Sequence, residues 1–132
     1  MSFETFYMSS ISPNQDLDLS FLYEIADGSD EFIVESIAMF LQQTPELLES
    51  ISTAIDAKDW QATAAAAHKL KPNLGFFGMP NSQALLQDVE ILSKGGAQNP
   101  AEVIEKFEQV QQLLAENLIT LEQIKQEKEA GL

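Results

Sequence analysis

Residues 64–78 read AAAAHKLKPNLGFFG, and the spacing of apolar and polar side chains in and around this stretch predicts an amphipathic helix. At about 100° per residue, one face collects the side chains suited to a core, namely Thr63, Ala66, Leu70, Leu74 and Phe77. His68, the single histidine of the chain, falls on the opposite face. We therefore expect the helix to pack its apolar face into a helical core and to turn His68 towards solvent.

The residues that share the face of His68 are mostly small or polar: Gln61, Ala64, Ala65, Lys71, Pro72 and Gly75. The imidazole is therefore expected to project beyond the small side chains around it, so that a second protein can approach the ring. An imidazole with its ordinary pKa near 6.5 is mostly neutral at pH 7. A neutral ring nitrogen is already a nucleophile, and its exposure meets a requirement of histidine phosphotransfer, in which a second protein must bring a phosphoryl group into line with the ring. A lone histidine is, however, often a bystander or a satisfied core group.

The run His68-Lys69-Leu70-Lys71, followed by Gly75 and Gly78, resembles the signature of histidine-containing phosphotransfer (HPt) domains. In that family histidine, any residue, an apolar residue and lysine precede glycines spaced along the helix. The resemblance covers the chain from about Asp18 onward, because the order of helices around the motif is also similar. It implies a phosphorelay intermediate that accepts a phosphoryl group from the aspartate of one receiver domain and passes it to another.

The same resemblance implies roles for individual residues and for partners. His68 would be phosphorylated, Lys71 and Lys69 would steady the phosphoryl oxygens, and the docking surface would be formed by Gln61, Ala64, Ala65, Pro72 and Gly75. The partners would be response-regulator receiver domains, a hybrid histidine kinase, or both. The receiver would supply the aspartate, Mg²⁺ and most of the transition-state stabilisation. The chain itself would then be a phosphocarrier without a cofactor, rather than an independent enzyme.

Pro72 departs from the family pattern, which usually has glycine four residues after the histidine. Proline removes the hydrogen bond to the His68 carbonyl and costs about 3 kcal/mol in an ordinary helix interior. We expect a kink just after the histidine. Pro72 is either a local variant whose small side chain leaves the imidazole accessible, or a sign that the chain docks a receiver but transfers the phosphoryl group poorly.

Composition excludes several other classes of function. The chain of 132 residues has a formal net charge of -14, and its basic residues are seven lysines. Nucleic acid binding is disfavoured, because phosphate backbones require a basic patch. Cysteine is absent, which excludes disulfides and thiol catalysis, and a single histidine makes a transition-metal site unexpected. The sequence has no P-loop or dinucleotide-binding glycine pattern.

Lys69 and Lys71 make the surroundings of His68 less negative, although lysines on any solvated helix face would do the same.

The pattern of apolar residues and helix caps predicts an all-α fold. A short helix capped by Asp18 runs to about Ala26 and is closed by Gly28. A second helix starts near Ser29 or Asp30 and carries an apolar stripe from Ile33 to Ile55. Pro45 either kinks this helix or restarts it with Thr44 as the cap.

Asp59 caps the third helix, which carries His68 and runs to about Phe77 or Gly78, and Met79-Pro80-Asn81 forms the turn that follows. The fourth helix ends at Gly95-Gly96. Asn99-Pro100-Ala101-Glu102 predicts a capping box at the start of the fifth, which ends near Lys128. We expect an antiparallel, up-down four-helix bundle with a short additional N-terminal helix.

We expect the chain to divide into a leader, residues 1–15, and one bundle domain, residues 16–132. A chain this long can bury roughly two thirds of its unfolded surface, enough for one core. The leader carries Phe3, Phe6, Tyr7 and Met8, which could pack onto the bundle or onto a partner. No apolar run is long enough for a membrane span, and the start of the sequence does not have the pattern of a signal peptide. We expect a cytoplasmic monomer.

The alternative function is a helical interaction module without phosphotransfer, which docks a receiver or another partner through the surface around His68. It would bind equally well after His68→Gln and would never acquire phosphate. An independent hydrolase or transferase has no supporting constellation of residues, since no carboxylate pair lies in a context suited to acid and base catalysis.

Overall fold

The computed structural model describes residues 16–132, so the leader lies outside the described residues. This part of the chain folds into five α-helices without a strand. They are α1 (Ser20–Ala26), α2 (Asp30–Asp56), α3 (Trp60–Phe76), α4 (Pro80–Lys94) and α5 (Pro100–Ala130). The predicted all-helical fold is confirmed. None of the helices in this range is both long and apolar enough to cross a membrane.

The four long helices pack in a closed ring, since α2 contacts α3, α3 contacts α4, α4 contacts α5 and α5 contacts α2. The short α1 packs against α2. The ring encloses one apolar core, to which the predicted stripes contribute Ile37, Ile51, Leu70, Leu74, Leu86, Val89, Val103, Val110, Leu114 and Leu121, all fully buried. Burial of each such side chain contributes about 1–3 kcal/mol.

Several helix ends follow from local side-chain chemistry. The Ser29 hydroxyl accepts a hydrogen bond from Phe32 N–H and caps α2. The Asp59 carboxylate accepts one from Ala62 N–H and caps α3. Asp18 accepts from the N–H and hydroxyl of Ser20, the first residue of α1. These contacts satisfy N–H groups that have no partner within the helix.

Other predicted boundaries were wrong. Helix α2 continues through Pro45, so of the two alternatives at this proline the helix restarted with Thr44 as its cap is wrong. Among the described residues the buried Thr44 hydroxyl has no hydrogen-bond partner. The capping box at α5 is absent, because the Asn99 side chain makes no cap hydrogen bond. Helix α4 begins at Pro80, inside the predicted turn. Packing of the flanking apolar stripe keeps α2 helical across a residue that would end an isolated helix.

A buried polar contact fixes the start of α4. Asp16 is fully buried, and its carboxylate accepts hydrogen bonds from Asn81 N–H, Ser82 N–H and the Ser82 hydroxyl at 2.6, 3.0 and 2.6 Å. The Asp16 carbonyl accepts a bond from the Asn117 side chain of α5 at 2.9 Å. The segment before α1 therefore ties the start of α4 to α5.

Candidate functional site

Helix α3 presents His68 to solvent. The Asp59 cap and the alanine run favour the helix, and its buried side includes Thr63, Leu70 and Leu74. The His68 side chain is 69% exposed, in agreement with its predicted position opposite the core face. The ring is therefore accessible to a second macromolecule.

A groove of about 730 Å³ lies beside His68, between α3 and α4. Its lining combines small residues with polar and charged ones, and comprises Trp60, Gln61, Ala64, Ala65, His68, Glu90, Ser93, Lys94 and Gly96. Ala64 was expected on the exposed face, but it is 5% exposed. It lines the groove as a buried residue because α4 packs against that part of α3. A partner that approaches His68 from this side meets a concave surface.

Glu90 on α4 is the carboxylate that organises this site. Its side chain is only 4% exposed, and Oε2 lies 2.9 Å from His68 Nδ1 and 3.0 Å from Lys94 Nζ. Its other oxygen, Oε1, lies 2.6 Å from Lys71 Nζ. Lys71 also donates a hydrogen bond to Gln87 Oε1. One carboxylate thus joins the imidazole to two ammonium groups.

The charge balance of this cluster keeps Glu90 ionised. Burial raises the pKa of the Glu90 carboxyl, but hydrogen bonds from Lys71, Lys94 and His68 outweigh that effect and lower it from 4.5 to about 2. Two lysines face one carboxylate, so the surface beside His68 carries a local excess of positive charge when the imidazole is neutral. This is unlike the chain as a whole, with its net charge of -14.

Sequence reasoning missed Glu90 and Lys94. Glu90 lies 22 residues beyond His68, on another helix, and a glutamate in a chain with 21 acidic residues is not distinctive. A signal does exist, because Glu90 follows Leu86 by four residues on α4 and so shares its buried side. A charged residue in such a position requires partners, since an unpaired buried charge is strongly disfavoured.

The other predicted site residues are distributed over different parts of the surface. Gln61 and Ala65 line the groove with His68. Lys69 instead lines a separate depression together with Gln43, Glu46, Leu47, Ser50 and Asn73. Gly75 lies in a third depression, where a Cβ would meet Gln83 Nε2 at 2.7 Å. The structure therefore separates Lys69 and Gly75 from the groove that adjoins His68.

Pro72 lies within α3, which continues without interruption to Phe76. It is exposed and does not line the groove. The described residues contain no group of three or more histidine or acidic side chains that could hold a metal ion.

The bundle carries an exposed histidine beside lysines and a groove. This is the arrangement expected of a phosphocarrier module. Comparison with protein families supports this class, because the family described as "Hpt domain" matches residues 35–127. The chain therefore belongs to the Hpt domain family. Members act in histidine phosphotransfer in phosphorelays and typically interact with receiver domains and kinases. Comparisons with curated proteins and with solved structures gave no match.

Proposed function

We propose that this chain is a phosphorelay intermediate in which His68 accepts a phosphoryl group from the aspartate of one receiver domain and passes it to another. One observation carries the proposal: the matched Hpt region presents His68 with a 69% exposed side chain. In-line transfer requires that the aspartyl phosphate of a second protein reach a ring nitrogen, and this exposure permits it.

The proposed contact surface is built around the groove. Gln61, Ala64 and Ala65 line it, and they would receive the receiver's surface close to His68. Pro72 and Gly75 are exposed further along α3 and would extend the contact. The receiver would supply the aspartate, Mg²⁺ and most of the stabilisation of the transition state, while this chain contributes the nucleophile and nearby positive charge.

The lysines would contribute to this positive charge to different extents. Lys71 is held against Glu90, close enough to the ring for its charge to act on a bound phosphoryl group. Lys69 lines a different depression, so its contribution would be a longer-range one that solvent screens. We assign the main stabilising role to Lys71 and an auxiliary one to Lys69.

The proposal includes an antiparallel, up-down arrangement of α2 to α5, which their short connections favour. Residues 57–59 join α2 to α3, and residues 77–79 join α3 to α4. It also includes a monomer, since a strong net negative charge opposes self-association. A cytoplasmic location is part of the proposal as well, because receiver domains and Mg²⁺ would both be available there.

The test is a transfer assay with a phosphorylated receiver domain and Mg²⁺. Acid-labile phosphate should appear on the wild-type protein and not on His68→Gln, while both proteins retain the same helicity. Glu108→Gln, an exposed change on α5, is the matched control and should be labelled like the wild type. Receivers that bind both proteins equally but never label either would overturn the proposal and favour the docking-only module.

A further inference from the structure

A second groove lies between α2 and α5, on the far side of the bundle from His68. It has a volume of about 430 Å³, and its lining includes Leu41 and Pro45 of α2 and Leu118, Ile119, Glu122 and Gln126 of α5. The contacts between the four long helices form a ring, in which the α2–α5 face is opposite the α3–α4 face that carries the groove beside His68. The proposed receiver surface therefore leaves the α2–α5 groove unused.

Apolar side chains and one backbone carbonyl make the α2–α5 groove suited to a peptide segment. Leu41 and Leu118 are half-buried against the core, and Ile119 is 62% exposed. Proline has no N–H, so Pro45 cannot donate the usual helical hydrogen bond to the Leu41 carbonyl. A peptide that binds here can bury its apolar side chains and donate an N–H to that carbonyl.

The leader, residues 1–15, has the composition of an occupant for this groove. It carries Phe3, Phe6, Tyr7 and Met8, and Glu4 is its single charged side chain. Segments that remain in solvent are generally poor in aromatic residues and rich in charge. The groove in turn has one ionisable residue in its lining, Glu122. The leader and the groove are therefore both nearly uncharged, in a chain with a net charge of -14.

The contacts of Asp16 show where the leader joins the bundle. The Asp16 carbonyl accepts a hydrogen bond from the Asn117 side chain of α5 at 2.9 Å, and two residues later Asp18 N–H donates to the Gly78 carbonyl. The backbone thus runs from α5 towards the connection between α3 and α4, so the leader joins the bundle at α5. Leu118 and Ile119 of the groove follow Asn117 directly along this helix.

The distance from this junction to the groove is within reach of the leader. Residues 9–15, which separate the aromatic residues from Asp16, span up to about 23–25 Å when extended. Passing round α5 requires about half its circumference, roughly 15–20 Å, because a helix with its side chains is about 10–12 Å across. We propose that the leader folds back around α5 and places its aromatic side chains in the α2–α5 groove.

The bound leader has two consequences for the bundle. It covers Leu118 and Ile119, which stabilises the fold by removing apolar surface from water. It also closes an apolar face through which two copies of the chain could otherwise associate. The groove beside His68 stays open, so the leader acts on the stability of the bundle and not on phosphoryl transfer.

A spin label tests where the leader lies. Because the chain has no cysteine, Ser10→Cys provides a single site for a nitroxide in the full chain. In ¹⁵N-labelled protein the nitroxide should broaden the amide signals of Leu41, Leu118 and Ile119, and those of Ala64 and Ala65 should stay sharp. Broadening centred on another face, or no localised broadening, would overturn the proposal.

A double-mutant cycle tests whether the leader and Ile119 interact. Ile119→Gln should lower the urea midpoint of the full chain, and it should have little effect once Phe3, Phe6 and Tyr7 are all replaced by serine. Ile104→Gln is the matched control, because Ile104 is an exposed isoleucine of α5 outside the groove, and it should act equally with either leader. Equal effects of Ile119→Gln with both leaders would contradict the proposed contact.

Two further measurements separate this arrangement from other occupants. A mixture of spin-labelled chains with unlabelled ¹⁵N chains should show no broadening, and broadening at the groove there would make a second copy the occupant. The chain with the three serine substitutions should take phosphate from a receiver at the wild-type rate. A loss of transfer would place the leader at the receiver surface and overturn its assignment to the α2–α5 groove.

Discussion

Gly78 and Asp18 meet backbone to backbone: Asp18 N–H donates to the Gly78 carbonyl at 2.9 Å, and a Cβ on residue 78 would lie 1.8 Å from the Asp18 carbonyl oxygen. Gly78 also has φ of 65°, in the left-handed region. This contact joins the segment before α1 to the connection between α3 and α4. The glycine that the family resemblance places after the histidine thus has a structural reason here.

Gly78→Ala should lower the free energy of unfolding by roughly 2–5 kcal/mol, because it adds left-handed strain of about 1–2 kcal/mol to a clash with backbone atoms. Urea unfolding followed by circular dichroism measures the change. Gly96→Ala is the matched control, since Gly96 has φ of 88° but no atom within 4 Å of a Cβ. For Gly96→Ala the free energy of unfolding should fall only by the cost of the left-handed strain. Equal losses in both variants would contradict the clash argued for residue 78.

Asp16→Ala should destabilise the fold by about 2 kcal/mol or more, because it removes the carboxylate that caps α4 and leaves buried donors without an acceptor. Two of these donors belong to Ser82. Asp16→Asn, which keeps one acceptor oxygen, should lose less. The exposed Asp18→Ala serves as the comparison in the same unfolding experiment. A loss for Asp16→Ala no larger than for Asp18→Ala would show that the buried contact contributes little.

The helical fold was predictable from the sequence because its determinants are local. Apolar periodicity located the core faces, and Ser29 and Asp59 marked the starts of two helices. The restart given as one alternative at Pro45 and the capping box at Asn99 were wrong, and for a different reason. In α2, tertiary packing keeps a helix continuous across proline, and at α5 a residue type suited to capping is present without its hydrogen bond. Local propensity does not include either effect.

The site was predictable only in part, for the same reason. The exposure of His68 follows from helix geometry, which depends on neighbours in sequence. Its contact with Glu90 depends on how α4 packs against α3, a tertiary relationship between residues 22 positions apart in the sequence. The sequence could indicate that Glu90 lies on a core-facing position, but not which groups compensate its charge.

Acidification should destabilise the protein partly through Glu90. The pKa of this carboxyl is about 2 in the folded protein against an ordinary value of 4.5, so the unfolded chain binds more protons between these values. The resulting stabilisation, of roughly 3 kcal/mol, is complete above about pH 5 and is lost as the pH falls towards 2. Between pH 6 and pH 3, wild type should lose about 2 kcal/mol more than Glu90→Gln in urea unfolding. Parallel losses in the two proteins would show that Glu90 is not held ionised by its partners.

Lys71→Gln should slow phosphoryl transfer about tenfold, which corresponds to about 1.4 kcal/mol of lost charge stabilisation. Lys69→Gln should change the rate less than about threefold, because Lys69 lines another depression and its charge is screened at that distance. Single-turnover transfer from a phosphorylated receiver measures both rates under the same conditions. A larger effect at Lys69 than at Lys71 would mean that the receiver docks over the α2 side of α3 rather than over the groove.

Pro72→Ala should raise the free energy of unfolding by roughly 1–3 kcal/mol, because it restores an N–H donor for the His68 carbonyl within a helix that is already continuous. Pro72→Gly should gain about 1 kcal/mol less, owing to the flexibility of glycine. Since Pro72 is exposed and outside the groove, we expect the transfer rate of both variants to stay within about threefold of wild type.

Pro45→Ala provides the matched control for Pro72, because Pro45 also lies exposed within a continuous helix, but on α2. It should stabilise the fold in the same way without altering transfer. If Pro72→Ala accelerates transfer tenfold or more while Pro45→Ala does not, then proline beside the histidine limits productive docking. If both variants gain stability and keep the wild-type rate, Pro72 is a tolerated local variant of the family pattern, since its cost falls on the helix and not on the reaction.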